Sequence, residues 1–427
     1  MNGKRNSPIG LIIYILAALF LFYEMALQVS PSVMTFDLMK DLKLDAKSLG
    51  IMSACYFYSY TLMQIPAGLL FDRFGPRILL TCATLVIAAG GLFFGLTTTA
   101  YFAAVGRFLM GIGSAFAFIG VLTVAARWFS AKYFAFLVGV AQFLAAMGAM
   151  GGELPLAGAV NVHGWRWTIN ALAIGGIFLA VVIALIVRDR PTDLHEDHLS
   201  SNFSIGKSLK EIFLKGQTYP IAMYAFCGWA PVAVFAALWG VPYLMRRYSI
   251  TNTHAALIVA MIWVGIAVAA PLLGWFSDKL KKRCLLLRAA SALGLVASLT
   301  MLYVPTLPLW INYLLMFLFG VASAGQILSF ALVKDINRPS VTSTAIGFNN
   351  MANVAGGAIF QPLVGFMLDK GWDGQSINGV PVYSIKDYHL ALFVVPLCFL
   401  IGLIMSTFFI KETHCKPVYD PYQDTLT

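Results

Sequence analysis

Apolar stretches about 20 residues long alternate with short polar punctuation along this chain. Twelve of them are long enough to cross a bilayer as a helix, for which about 17–25 residues suffice. The candidate spans cover 9–33, 49–70, 77–97, 101–126, 134–158 and 166–187, then 219–245, 255–276, 284–304, 308–333, 342–368 and 388–410. One substantial polar break, 188–217, separates six spans from six. The punctuation itself repeats. Gly68, Asp72, Arg73 and Arg77 in GLLFDRFGPR are answered half a chain later by Gly274, Asp278, Lys279 and Arg283 in GWFSDKLKKR. Each copy closes an apolar run and opens a basic hinge, the mark of an internal duplication. The predicted architecture is an all-α membrane protein of twelve transmembrane helices. An N-terminal six-helix bundle (1–187), a linker (188–217), a C-terminal six-helix bundle (218–411) and a tail (412–427) follow one another.

Composition agrees with the pattern. Hydrophobic residues make up 59% of the chain, charged residues 11%, and mean hydropathy is +0.80. Soluble domains carry about 25% charge, so a bilayer is the natural solvent. The net charge of +10 would suit nucleic acid, but its placement follows membrane topology instead. With alternating spans, twenty Lys/Arg fall on one side and eight on the other, leaving only Arg107 inside a span. The positive-inside rule then makes both termini, the linker and the tail cytoplasmic. A bacterial cytoplasmic membrane is the expected site and a monomer the expected state, with no nucleic-acid partner. The first run is too long for a signal peptide and has no small-residue cleavage site beside Glu24, so it reads as an uncleaved span. The six cysteines have no metal or CxxC spacing and read as free thiols. His195, Glu196, Asp197 and His198 do not follow HExxH and read as a solvated loop, so no metal is expected. The Gly- and Asn-containing 369–387 segment reads as an extracytoplasmic loop without evident chemistry. Two duplicated halves facing each other in a membrane are the usual build of a secondary transporter.

Several motifs make the whole chain resemble the major facilitator superfamily. GLLFDRFGPR matches its loop 2–3 signature, with Pro76 where a basic residue is usual, and GWFSDKLKKR is the degenerate second copy. Arg107-Phe-Leu-Met-Gly111-Ile-Gly113 matches the fourth-helix motif, Gly164-Trp165-Arg166-Trp167 the entry to helix six, and 347–365 helix eleven. The resemblance implies two rocking bundles around a central cavity lined by helices one and four, among others. It also implies that Asp72 faces the start of helix eleven near Thr342–Ala345, with Arg127 as ion partner. Physically, Gly68 would let the helices approach, and a carboxylate at a helix N-terminus gains about 0.3–1 kcal/mol. Span glycines such as Gly111/Gly113, Gly139/Gly148 and Gly356/Gly357 are expected at close helix contacts. Span five lacks the Gly-Pro pair of exporters, which favours import. The stretches 21–34 and 56–77 look similar to bacterial phagosomal importers of amino acids or nucleosides and to lysosomal dipeptide transporters.

Three ionisable residues lie deep: Glu24, Arg107 and Glu153. A bare charge at mid-bilayer costs about 2.5–3.5 kcal/mol or more, so each should face protein or a wet cavity. At 1.5 Å per residue Glu24 lies about 23 Å from the cytoplasmic start of span one, and the other two about 7–9 Å inside the opposite face. All three thus share one layer, where Glu24 and Arg107 could meet. Glu24 is expected to carry the coupling proton, with Arg107 tuning it or binding a solute carboxylate; a static ion pair is the bland alternative. Glu153 would face span eight. Polar and aromatic residues at helical spacing complete the candidates: Gln28 beside Glu24, then Tyr56, Tyr60 and Gln64, Asn349 and Asn353, Gln326, and Trp229 and Trp239, whose prolines could break span seven. Such a lining suits a small neutral or zwitterionic solute. The expected function is proton-coupled uptake of an amino acid or small peptide, with no cofactor beyond the proton gradient. An organic-anion or nitrate-type carrier, a nucleoside importer or a non-transporting nutrient sensor are the alternatives. No HExxH, GxSxG or nucleotide loop points to an enzyme or an ATP-driven pump.

Overall fold

The computed structural model describes residues 8–129, 131–189, 205–305 and 307–418. Nearly all of them are helical, and eleven segments are long and apolar enough to cross a membrane. The twelfth is the more polar leg 46–74, which Lys47, Ser48, Ser53, Ser59, Thr61 and Gln64 keep below the hydropathy of its neighbours. It belongs to a helical stretch, Ala46–Leu96, that turns at Gly75. There φ is 74°, a left-handed conformation that glycine adopts without a Cβ penalty. The equivalent corner of the second half turns at Lys281, with φ of 54°. Spans are numbered here 1 to 12 in chain order. Spans 1 to 6 are Pro8–Val33, 46–74, 76–96, Ala100–Trp128, 131–163 and Trp165–Ile186. Spans 7 to 12 are Thr218–Tyr248, Asn252–Leu280, Arg283–Tyr303, Leu309–Ile336, 339–371 and Ile385–Phe409.

Small residues set the packing. A Cβ at Gly111 would strike the Tyr56 backbone, at Gly113 that of Ala83, at Gly106 that of Gly90. Span 4 therefore lies in van der Waals contact with both legs of the 46–96 hairpin. Gly148 abuts Phe22, Gly356 abuts Ala230 and Gly357 the ring of Phe57, as small-residue contacts in membranes require. Gly139 and Gly68 differ from expectation: among the described residues, none beyond the local helix comes within 4 Å of a Cβ placed there. The closeness expected at Gly68 appears instead at the other end of the molecule.

The halves meet mainly along spans 2 and 11 and along spans 5 and 8. Residues 33, 46, 163, 252 and 371 mark one end, called outer here after the orientation expected from the charge distribution. From that end spans 2 and 11 stay in contact through Gly365 against Ala46, Gly50 against Gln361 and Gly357 against Phe57, down to an Asn350 Nδ2–Gln64 Oε1 hydrogen bond of 2.8 Å. That is about 27 Å of helix at 1.5 Å per residue. Just past it, no described residue beyond the local helix lies within 4 Å of a Cβ built at Gly68 or Gly347.

Two segments depart from their expected form. The linker, expected as loop, contains a helix, Ile205–Leu214, whose Glu211 receives hydrogen bonds from Arg338. Span 7 is not broken by its prolines. It widens over Val232–Trp239 into a π-helix after Pro231, because the missing N–H at proline lets the ladder re-register. His195 to His198 lie outside the described residues, as do both termini.

Candidate functional site

Span 1 ends its regular winding at Pro31. The Leu27 carbonyl should bond the N–H four residues on, but proline has none. Two donors replace it: Ser30 Oγ at 2.9 Å and Arg107 Nη1 at 2.9 Å. Arg107 Nη2 reaches the Gln28 carbonyl at 3.2 Å, so the guanidinium fork clasps the C-terminal end of span 1, where a cation also suits the helix dipole. Its Cζ lies 4.7 Å from the centre of the Tyr56 ring. Arg107 is fully buried, and this is how its charge is accommodated.

Glu24 is equally buried, at 1% exposure. Its Oε1 accepts a hydrogen bond from the Tyr56 hydroxyl, and no basic nitrogen of a described residue lies within 4 Å. The static Glu24–Arg107 ion pair, the alternative to a titrating Glu24, is therefore not formed. Tyr56 stands between the two, bonding one with its hydroxyl and the other with its ring. Tyr60 stacks on Tyr56 with centroids 5.8 Å apart, and Gln64 continues the stripe to Asn350. Gln28 contributes its backbone rather than its amide to the clasp.

Glu153 lies in the same layer, at the break in span 5 between Gly151 and Leu154. Its Oε1 accepts from Trp263 Nε1 of span 8 at 3.0 Å, which ties the halves together, while Oε2 has no partner. Trp263 was not singled out in the sequence; it meets Trp229 edge to face at 6.1 Å. Trp239 is fully buried and donates to the Gln361 carbonyl at 3.2 Å, so it joins span 7 to span 11. Deeper toward the inner end, Asn349 donates to Ser329 at 2.9 Å, and the side-chain oxygens of Gln326, Asn349 and Asn353 are buried without a partner.

The described side chains of the loop signatures make contacts within their own halves. Arg77 donates its backbone N–H to Asp189 at 2.9 Å and its Nε to the Ala184 carbonyl at 3.0 Å, both at the end of span 6. Arg283 pairs with Asp335 at 2.7 Å and with Asp278 at 3.8 Å. Arg73 and Lys279 lie over Phe74 and Trp275. Arg127 Nη2 donates to the Phe71 carbonyl at 2.9 Å. The Asp72 side chain lies outside the described residues.

The sequence model of the Major Facilitator Superfamily matches residues 11–361. The chain belongs to that superfamily. Its relatives include a putative tartrate transporter of Agrobacterium vitis, 24% identical over 83% of this chain and 90% of that one. The lysosomal dipeptide transporter MFSD1 of Homo sapiens is also 24% identical, over 87% and 82% of the two chains. Among solved structures, a bacterial homologue of the human lysosomal transporter Spinster, inward-facing and occupied, superposes with a TM-score of 0.81 over 97% of this chain and all of that one, at 15% identity. A mutant of the nucleoside transporter NupG gives 0.72 over 93% and 100%, at 12% identity. This member of the Major Facilitator Superfamily is thus a multi-pass membrane transporter of small solutes and not an enzyme. Its clasp on span 1 and its buried carboxyls are what its own residues add to that frame.

Proposed function

We propose that the protein takes up a small amine-bearing nutrient, an amino acid or small peptide, by proton symport. The observation that carries this reading is the asymmetry of the buried charges. Arg107 has committed both terminal nitrogens to span 1, whereas Glu24 has a tyrosine hydroxyl and, among the described residues, no cation within 4 Å. Burying a bare carboxylate costs several kcal/mol, and either a proton or a solute ammonium removes that cost. A group that exchanges the two couples them. An organic anion would need a free cation in this layer, and among the described residues Arg107 is the only basic side chain at that depth. Trp229, Tyr60, Gln326 and Asn353 supply the aromatic and amide surface expected for the rest of such a solute. In this reading a monomer in a bacterial cytoplasmic membrane, with cytoplasmic termini, uses the proton gradient and no other cofactor.

The test is uptake into proteoliposomes with an imposed pH gradient, using dipeptides, their N-acetylated forms, nucleosides and tartrate. Dipeptide accumulation driven by acid outside is expected, with N-acetylated forms and tartrate inactive. Glu24→Gln should abolish gradient-driven accumulation. Unchanged proton-driven uptake in Glu24→Gln, or gradient-driven uptake of tartrate alone, refutes the assignment.

A further inference from the structure

The signature that opens each half, Gly-x-x-x-Asp followed by a basic residue, occurs a third time. Gly365-Phe-Met-Leu-Asp369-Lys370 has the same spacing as Gly68 to Arg73 and Gly274 to Lys279. Here it ends span 11 at the outer face. Its glycine does what Gly68 does not: a Cβ at Gly365 would collide with the Ala46 carbonyl at the start of span 2. Its aspartate reaches across the interface between the halves. Asp369 Oδ1 accepts from Ala46 N–H at 3.1 Å and Oδ2 from Lys47 N–H at 2.7 Å. The Tyr383 hydroxyl donates to Oδ1 at 2.5 Å and itself accepts from Ala46 N–H at 3.0 Å.

A helix start leaves four backbone N–H groups without intrahelical partners. At span 2 the third is taken in cis by Asp45, whose side chain accepts from Ser48 N–H at 2.8 Å. The first two are taken in trans by Asp369. The other interface repeats the layout with a neutral group: Asn161, ending span 5, donates to Thr253 at the start of span 8 at 2.8 Å. Spans 5 and 11, like spans 2 and 8, occupy equivalent places in the two halves. Asn252, also at the start of span 8, donates to the Val33 carbonyl at 2.6 Å, and Lys47 lies over the Phe366 ring. Among these outer contacts of the described residues, the Asp369 one is the only one with a carboxylate acceptor.

We propose that Asp369 is a positioning residue of the transport cycle, an outer latch that holds the halves together by capping span 2 in trans. When the outer face opens, Ala46 and Lys47 N–H pass to water, and Asp369 keeps only Tyr383 of its own half. Toward the inner end of the same two spans, no described residue beyond the local helix comes within 4 Å of a Cβ built at Gly68 or Gly347 while this latch is closed. The latch does not depend on which solute is carried, so its test needs none.

The experiment places spin labels on cysteines in a background lacking the six native ones. One pair, at 43 and 373, spans the outer interface; the other, at 78 and 334, spans the inner one. Distances are read by double electron–electron resonance in nanodiscs. Losing hydrogen bonds to a charged acceptor shifts a two-state equilibrium by about ten- to a hundredfold. Asp369→Asn, which keeps the shape, and Asp369→Ala should therefore populate a longer outer distance and a shorter inner one. Asn161→Ala should do so less. An outer distribution unchanged in both Asp369 variants overturns the proposal. So does equal broadening at both ends, which would mean that Asp369 only supports folding.

Discussion

Arg107 and Pro31 form a pair whose energetics can be worked from the geometry. In Arg107→Lys the buried charge remains, but a single ammonium cannot bridge the carbonyls of Leu27 and Gln28 and also cover the Tyr56 ring. One hydrogen bond from a charged donor is lost, about 1.5–3 kcal/mol, with part of a cation–π contact worth about 0.5–2 kcal/mol. The expected destabilisation is about 2–4 kcal/mol. Pro31→Ala restores the N–H that the Leu27 carbonyl lacks, at about 0.5–1.5 kcal/mol for a neutral hydrogen bond. The lysine variant should therefore lose less in a Pro31→Ala background, by about 1 kcal/mol. Chemical unfolding in mixed micelles of the native protein, both single variants and the double variant gives the cycle directly. Strict additivity, within about 0.3–0.5 kcal/mol, would mean that Arg107 does not substitute for the missing amide. A charge-conserving variant with native stability but lost anion binding would instead restore Arg107 as a solute ligand.

Two further outcomes follow from contacts outside that clasp. Trp263→Phe leaves the buried Glu153 with both oxygens unpartnered and should cost about 1.5–3 kcal/mol in the same unfolding assay. Adding Glu153→Leu should recover most of that loss, since removing both partners is nearly neutral, and no recovery would show that the contact is incidental. On the linker helix, burial opposes ionisation of Glu211, but hydrogen bonds from Arg338 and Lys215 outweigh it and hold the carboxyl below its ordinary range. A lowered acid stabilises docking above its ordinary pKa and loses that contribution as pH falls through the lowered value. Amide-exchange protection of 205–214 should thus survive at pH of about 4.5 and fall below it, whereas Glu211→Gln should lose protection already at neutral pH. Loss of protection in the native protein above pH of about 5 contradicts the ion-pair account.

The spans and the duplication were legible because hydropathy and punctuation are local properties of the sequence. Their bounds agree with the helices to within a few residues at most ends, and the corners at Gly75 and Lys281 fall where the repeats placed them. Glu24, Arg107 and Glu153 share a layer, as helical rise requires. Their partners were less legible, since a partner depends on which way a side chain turns. Depth put Glu24 and Arg107 together, yet Pro31 creates a carbonyl with a stronger claim on the guanidinium. Proline four residues after Leu27 was the available signal. The close approach expected at Gly68 occurs instead at Gly365, where the same spacing over 365–370 meets span 2 in this conformation. Neither the linker helix nor the tryptophan facing Glu153 had a signal beyond ordinary amphipathicity and apolarity.

Val232–Trp239 gives the middle of span 7 a wide winding, which the described residues repeat only near the end of span 12, at Met405–Phe409. A wide turn stores one residue more than the regular repeat, and each residue advances a helix by about 100°. If that surplus shifts along the segment, the outer third of span 7 swivels about its own axis while every carbonyl still finds an amide. Gly240, with φ of −70° and ψ of −45°, lets the regular winding resume without a kink. The joint is thus one of rotation, able to turn Trp239 and the residues beyond it without bending the rod that carries them.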